Sequence, residues 1–319
     1  MDIGVHTPPL YGEPLEEALG YLADKGVSAI EPGVGGYPGD THLPRGEYLD
    51  DEDAQAELHA LLEDHEIRLS ALATHNNPLH PDEDRAASAD TELREAIRLA
   101  DQLDVGTITC FSGLPAGGPA DQVPNWVTAP WPAEHADAHE YQWDVATTYW
   151  RDLADHAEAH DVDVAIEMHP NMLVYEPTGM ERLRAATNDR IGANFDPSHL
   201  YWQGISITDA IRYLGDAIHH VHAKDTRVYE EESRVKGVLD TTAYDDEPNR
   251  SWLFRSVGYG HGEEHWKDIV STLRMVGYDD VLSIEHEDSL TSSTEGLEKA
   301  IELLQRAIFA DQPGEAYWA

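Results

Sequence analysis

The stretch Ile218–Asp225, IHHVHAKD, reads as a buried strand that ends in a histidine and runs on into a Lys-Asp pair. Side chains two apart on a strand share a face, so Val221 and Ala223 face one way with His219, and His220, His222 and Lys224 face the other. An apolar face packed on helices sends the second set to the inside of a closed sheet. His222 then stands at the C-terminal tip. His220 lies one layer deeper, where a hydrogen-bonded core histidine is expected.

Working outward, seven more apolar runs have strand character: Ile3–His6, Val27–Glu31, Ile67–Ala73, Val105–Phe111, Val162–Met168, Ile191–Asp196 and Val281–Glu285. Amphipathic segments alternate with the strands: Pro14–Lys25, Asp53–His65, Asp90–Leu103, Thr147–His160, Met180–Thr187, Thr208–Leu214, Glu264–Val276 and Thr294–Ala310. Eight such units in 319 residues predict an α/β fold, a (β/α)8 TIM barrel forming a single domain over residues 1–319. An open doubly wound sheet would carry a glycine-rich turn after its first strand, and none follows here. Long loops are expected after strand four, Ser112–Gln142, and strand seven, Thr226–Glu263, both on the face where barrels place their chemistry.

Composition narrows the partners. The chain has 62 Asp+Glu against 21 Lys+Arg, a formal net charge of −41, spread over nearly every expected helix. Such a field repels nucleic acid and anionic membrane surfaces, so neither is an expected partner. Charge on the whole surface rather than in one acidic block predicts halophilic adaptation. The single cysteine, Cys110, excludes an intrachain disulfide, and neither an apolar leader nor a run of ~18 apolar residues is seen, which predicts a cytoplasmic protein. The segment GEAYWA at 314–319 is a candidate for docking on a neighbouring subunit, hence a possible homo-oligomer.

The alternation in IHHVHAKD recurs at three neighbouring strands. In DVAIEM, Val164, Ile166 and Met168 face the helices and Glu167 faces in; in IGANFD, Asn194 and Asp196 face in; in VLSIEH, Ser283 and Glu285 face in. Three carboxylates crowded at one rim are unfavourable without a cation. Glu167, Asp196, His222 and Glu285 are therefore the expected ligands of one divalent ion per chain, Mn²⁺ first, then Mg²⁺, Co²⁺ or Zn²⁺, with positions left open for substrate oxygens. His199 in FDPSHL, His169 in EMHP, His75 in ATHNNPLHP and Lys224 are candidate substrate contacts, with Glu31 and His6 at the same rim.

At these residues the sequence resembles the xylose isomerase-like TIM barrel superfamily, AP endonuclease family 2 with its sugar phosphate isomerase/epimerase branch. The resemblance spans nearly the whole chain and rests on SALATHNNPLHP, AIEMHP, NFDPSHLYWQG, HHVHAKD and VLSIEHED. It implies that Glu167, Asp196, His222 and Glu285 occupy the metal-ligand positions and His199 the substrate-contacting position. The endonuclease members hold a trinuclear zinc site with further histidines; here strand four ends in Cys110 and Phe111, which leaves that cluster incomplete and opposes a nuclease.

The chemistry implied is that of a metal-dependent sugar isomerase or epimerase acting through a metal-bound cis-enediolate, with Glu167 and Glu285 removing and returning the proton. Return to the other face of the same carbon epimerises; return to the next carbon isomerises. Two alternatives stay open: a metal-dependent lyase eliminating a β-substituent from a keto-sugar, keto-glycoside or keto-inositol, and a non-catalytic sugar-binding barrel. Trp126, Trp131 and Trp252 would wall a sugar ring or cap the barrel, and long aromatic loops suit a substrate bulkier than a free monosaccharide. Because salt screens self-repulsion, the melting temperature is expected to rise between dilute buffer and molar KCl; a scan with no rise would refute the salt adaptation.

Overall fold

Parallel pairing runs from strand to strand in the computed structural model, which describes residues 1–311 and residue 314. The first strand, Asp2–His6, lies between Ala29–Glu31 and Val281–Ile284. From Val281–Ile284 the ladder continues through Ile218–Ala223, Ile191–Phe195, Asp163–Glu167, Thr107–Phe111 and Leu72–His75 to Gly33–Gly36. Ala29–Glu31 pairs in turn with Arg68–Leu69.

Ten short strands thus occupy eight barrel positions, because the second and third are each broken once. Pro32, which has no N–H for the ladder, separates Ala29–Glu31 from Gly33–Gly36. Ser70 and Ala71 separate Arg68–Leu69 from Leu72–His75. Backbone bonds from Ser70 N to the Ile30 oxygen (2.9 Å) and from Ala73 N to the Pro32 oxygen (2.9 Å) carry the pairing across both breaks. Gly36 closes this region at φ 66°, where an added Cβ would collide with the His75 carbonyl.

The expected α/β barrel is therefore the observed one, with two sets of boundaries corrected. The helix expected at Asp90–Leu103 runs Glu83–Gln102, and that expected at Thr147–His160 runs Ala133–Ala159. Their first turns bury little apolar surface, so hydrophobic periodicity did not reach them; Asp82, whose carboxylate accepts from Arg85 N, caps the former. The connection after strand four is consequently Ser112–Pro132. The connection after strand seven has structure of its own: Asp225–Val228 pairs antiparallel with Trp252–Arg255, and helix Glu230–Lys236 lies between them. Of GEAYWA, all but Gly314 lies outside the described residues.

The outward faces of the strands meet the helices as the alternation requires, with Val164, Ile166 and Met168 all at 0 % exposure. Helix Ile207–Leu214 offers Ile207, Ala210, Ile211 and Leu214, a single stripe at helical spacing. Trp150, also fully buried, donates its indole N–H to the Ser112 carbonyl (3.0 Å), while Ser112 Oγ accepts from Val174 N (3.0 Å). This joins the helix Ala133–Ala159 to the loops leaving strands four and five. Trp150→Phe strands that buried carbonyl and is expected to cost ~1–3 kcal/mol, read as a lower urea midpoint at unchanged slope.

Candidate metal centre

One donor atom from each of Glu167, Asp196, His222 and Glu285 lies within 4.8 Å of the others. That spread is comparable with the ~4–5 Å spanned by two ligands each ~2.0–2.5 Å from one ion. Glu167 ends strand five, Asp196 and Glu285 follow strands six and eight directly, and His222 is the penultimate residue of strand seven. Glu167, Asp196 and His222 are buried, and the Glu285 side chain is 17 % exposed.

The chemistry of the donor set fits a cation. His222 Nε2 donates to both oxygens of Glu31 (3.0 and 3.1 Å), which leaves Nδ1 facing Glu285 Oε2 at 3.0 Å and Glu167 Oε2 at 3.3 Å. Glu285 Oε2 is buried without a hydrogen-bond partner, because Nδ1 is close but off the bonding direction. Burial opposes a charge on His222, yet Glu31, Glu167 and Glu285 raise its pKa well above the usual value. A divalent ion satisfies the same converging lone pairs and relieves Nδ1 of that proton.

The remaining expected residues surround this group. His199, fully buried, donates through Nε2 to Glu167 Oε1 (3.0 Å) and lies 3.1 Å from Asp196 Oδ2. Burial alone would lower its pKa, but Asp196 and Glu167 raise it to about 9. His75 Nε2 lies 3.2 Å from Glu167 Oε2 without making a hydrogen bond. His169, in the cavity wall, is brought down to about 3, first by desolvation and then by the charge on His199. Lys224 is buried with Nζ 3.1 Å from Glu285 Oε1, 3.7 Å from Asp196 Oδ2 and against Glu287; these carboxylates overcome its burial and push its pKa up, while Lys224 and His222 hold Glu285 well below the usual carboxylate range.

Glu31 has a larger place than its sequence position suggested. At 0 % exposure it accepts from Thr109 Oγ1 (2.6 Å), Ser283 Oγ (2.6 Å), His220 Nε2 (3.0 Å) and His222. The only signal for it was a carboxylate at the end of an apolar run, IEP, which marks the rim but names no partner. Asn194, whose Nδ2 donates to Glu167 Oε2 (3.3 Å), was legible only as an inward position.

Glu167 and Glu285, two of the four candidate ligands, reach a cavity of about 360 Å³ lined also by His6, His75, Phe111, His169, Lys224, His286, Glu287, Ser293 and a proline-rich wall. The expected tryptophan walls do not line it. Trp252 is buried and stacks on Trp202 (5.2 Å, 8°), Trp126 packs edge-on to Tyr175, and Trp131 is 82 % exposed. No helix among the described residues is long and apolar enough to cross a membrane.

The family model of the xylose isomerase-like TIM barrel matches residues 19–307. An uncharacterized protein of Bacillus subtilis (strain 168), YfiH, is 38% identical over 312 residues, covering 97% of this chain and 99% of that one. Among solved structures, the probable 3-DHS dehydratase AsbF of Bacillus anthracis superposes with a TM-score of 0.69 at 15% identity, covering 96% of this chain and 99% of that one. The 3-keto-D-glucoside 4-epimerase YcjR of E. coli gives a TM-score of 0.65 at 12% identity, covering 96% and 99%. At these identities the likeness is one of fold.

Since Glu31 fixes which nitrogen of His222 is free, Glu31→Gln is expected to weaken divalent-ion binding ~10–100-fold in a chelator competition while the circular dichroism spectrum is kept. Unchanged affinity would remove Glu31 from any role at the metal centre.

Proposed function

The chain belongs to the xylose isomerase-like TIM barrel family, and from that premise we propose that it is a divalent-metal-dependent sugar isomerase or epimerase that moves a proton beside a carbonyl group. The observation that carries this reading is the placement of Glu167 and Glu285, two carboxylates that reach one cavity from strands five and eight on either flank of His222. When bound, a divalent ion would supply the Lewis acidity that makes a C–H next to a carbonyl removable.

The protein's own groups are poised for the proton transfers. His199, His222 and His75 hold Glu167 well below the usual carboxylate range against its burial, so it is ionised and able to accept a proton. Lys224 and His222 do the same for Glu285. One carboxylate removes the proton and becomes the acid; the other, once it has taken a proton from solvent, returns it to the opposite face of the same carbon and inverts that centre, whereas return to the next carbon moves the carbonyl. The hydrogen bond from His199 orients Glu167, and His75 and His169 border the space where substrate hydroxyls would lie. The cytoplasm suits the single cysteine, Cys110, which is buried and free.

Dehydration and epimerisation beside a carbonyl share the first proton removal, so the lyase reading is tested by the same experiment. Elemental analysis is expected to find one divalent ion per chain, and neutral ketoses incubated in D₂O are expected to take up deuterium. Glu285→Gln should slow that uptake ~10²–10⁴-fold with the fold retained. Exchange with recovery of an isomer or epimer supports the proposal. Release of water or an aglycone makes the protein a lyase, and no exchange with any sugar leaves a binding barrel.

A further inference from the structure

Arg250 is a buried charge with no part in the metal centre. It lies two residues before the strand Trp252–Arg255, in the connection after strand seven, and is 2 % exposed. Its Nε donates to the Trp252 carbonyl (3.1 Å) and its Nη1 to the Thr242 carbonyl. Nη2 is sealed from solvent and has no hydrogen-bond partner among the described residues, and the same holds for Oγ of the adjoining, fully buried Ser251.

A guanidinium keeps its charge when buried, so a carboxylate against it is the usual solution. The chain has 62 Asp+Glu, yet among the described residues none brings a carboxylate oxygen within 4.0 Å of Arg250. The acid that the local chain supplies, Asp240, is taken elsewhere: Oδ1 accepts from Thr242 N (2.9 Å), Oδ2 accepts from Ser251 N (2.6 Å), and Lys236 Nζ lies 3.5 Å away. Two rings flank the guanidinium, Tyr244 at 4.1 Å and Trp252 at 4.8 Å. Ring contacts offset only part of what stripping water from an ion costs.

The aromatic cluster around Arg250 holds further donors without acceptors. Trp202 stacks on Trp252 (5.2 Å) and Trp126 packs against the same group, and both indole N–H groups are buried and unpartnered. Indole and guanidinium N–H groups only donate, so the region lacks an acceptor, and at Arg250 it lacks a negative charge as well. Water would satisfy the N–H groups and leave the charge unbalanced. The missing group is small, because Nη2 is closed off from solvent. It is singly charged, because one guanidinium balances one negative charge and Lys236 is already paired with Asp240.

We propose that Arg250 Nη2, with the neighbouring Ser251 hydroxyl, holds a small monovalent anion of the chloride class within the aromatic cluster. The ion fixes the packing behind the metal centre: Tyr244, against Arg250, stacks on Phe254 (5.8 Å, 17°), and Phe254 lies 4.3 Å from Lys224 Nζ and edge-on to His199 (5.3 Å).

Crystals of the protein soaked in sodium bromide are expected to show an anomalous peak in contact with Arg250 Nη2; water there, with no anomalous signal, overturns the proposal. In solution, chloride is exchanged for acetate at constant molar ionic strength, so that screening stays the same. An ion held by the folded chain alone stabilises it by mass action, and chloride is expected to raise Tm. Arg250→Met, which keeps the stem and removes the charge, should reduce that rise by ~2 °C or more. A chloride response that is equal in the two proteins, or absent from both, overturns the site. Should the variant fail to fold, the bromide map of the native chain decides.

Discussion

A carboxylate sealed from water, that of Glu31, is the constraint on which the mouth of the barrel depends. Stripping the hydration from such an ion costs several kcal/mol, on the order of the stability of a whole domain, unless donors replace the lost water. Here Thr109, His220, His222 and Ser283 replace it, and they come from strands four, seven and eight. Burial raises the carboxyl's pKa and the two histidines more than reverse that shift, holding it well below the usual range. The charge thus persists at the barrel axis, and the strands that satisfy it are held in one register.

From that anchor the site builds upward in steps. Glu31, Thr109, Asn194 and Ser283 are contributed by strands two, four, six and eight, the alternation that defines one layer of a barrel interior. Barrel layers are usually filled by Val, Ile and Leu; this one is polar. Over it stand His6, His75 and His222 from strands one, three and seven, with ring centroids 5.7 to 6.3 Å apart. Asp196 and Glu285 come two residues beyond Asn194 and Ser283. The four candidate ligands therefore do not share one level, although each is at or near a strand's end.

The polar interior also explains the division of labour between strands and loops. Strand residues supply the donor set, because rigid paired backbone fixes Glu167 and His222 to within hydrogen-bond tolerances. The long connection after strand seven adds Lys224 at its root and then turns its aromatic residues on each other. Asp225 holds that turn: it accepts backbone N–H groups from Gly258, Gly260 and His261 (2.8 to 3.1 Å) and the His261 ring (2.8 Å). The aromatic cluster backs the site without lining its cavity: Phe254 lies 4.3 Å from Lys224 Nζ and edge-on to His199 (5.3 Å).

The sequence by itself determined the fold class and the inward set of strand-end residues, because strand alternation has a period of two and needs only neighbours to be read. Glu167, Asp196, His222 and Glu285 are all visible that way, as is the deeper place of His220. Helix starts at Glu83 and Ala133 were not visible, since acidic first turns carry no apolar stripe. Nor were the contacts that orient the site. Glu31 meets Thr109, His220 and Ser283 across 78, 189 and 252 residues of chain, and no local pattern encodes a partner that distant. Only closure of the barrel decided which nitrogen of His222 stays free, that Lys224 is already paired, and that the tryptophans lie away from the cavity. Those outcomes depend on where strands meet around a circle, a property of the tertiary structure alone.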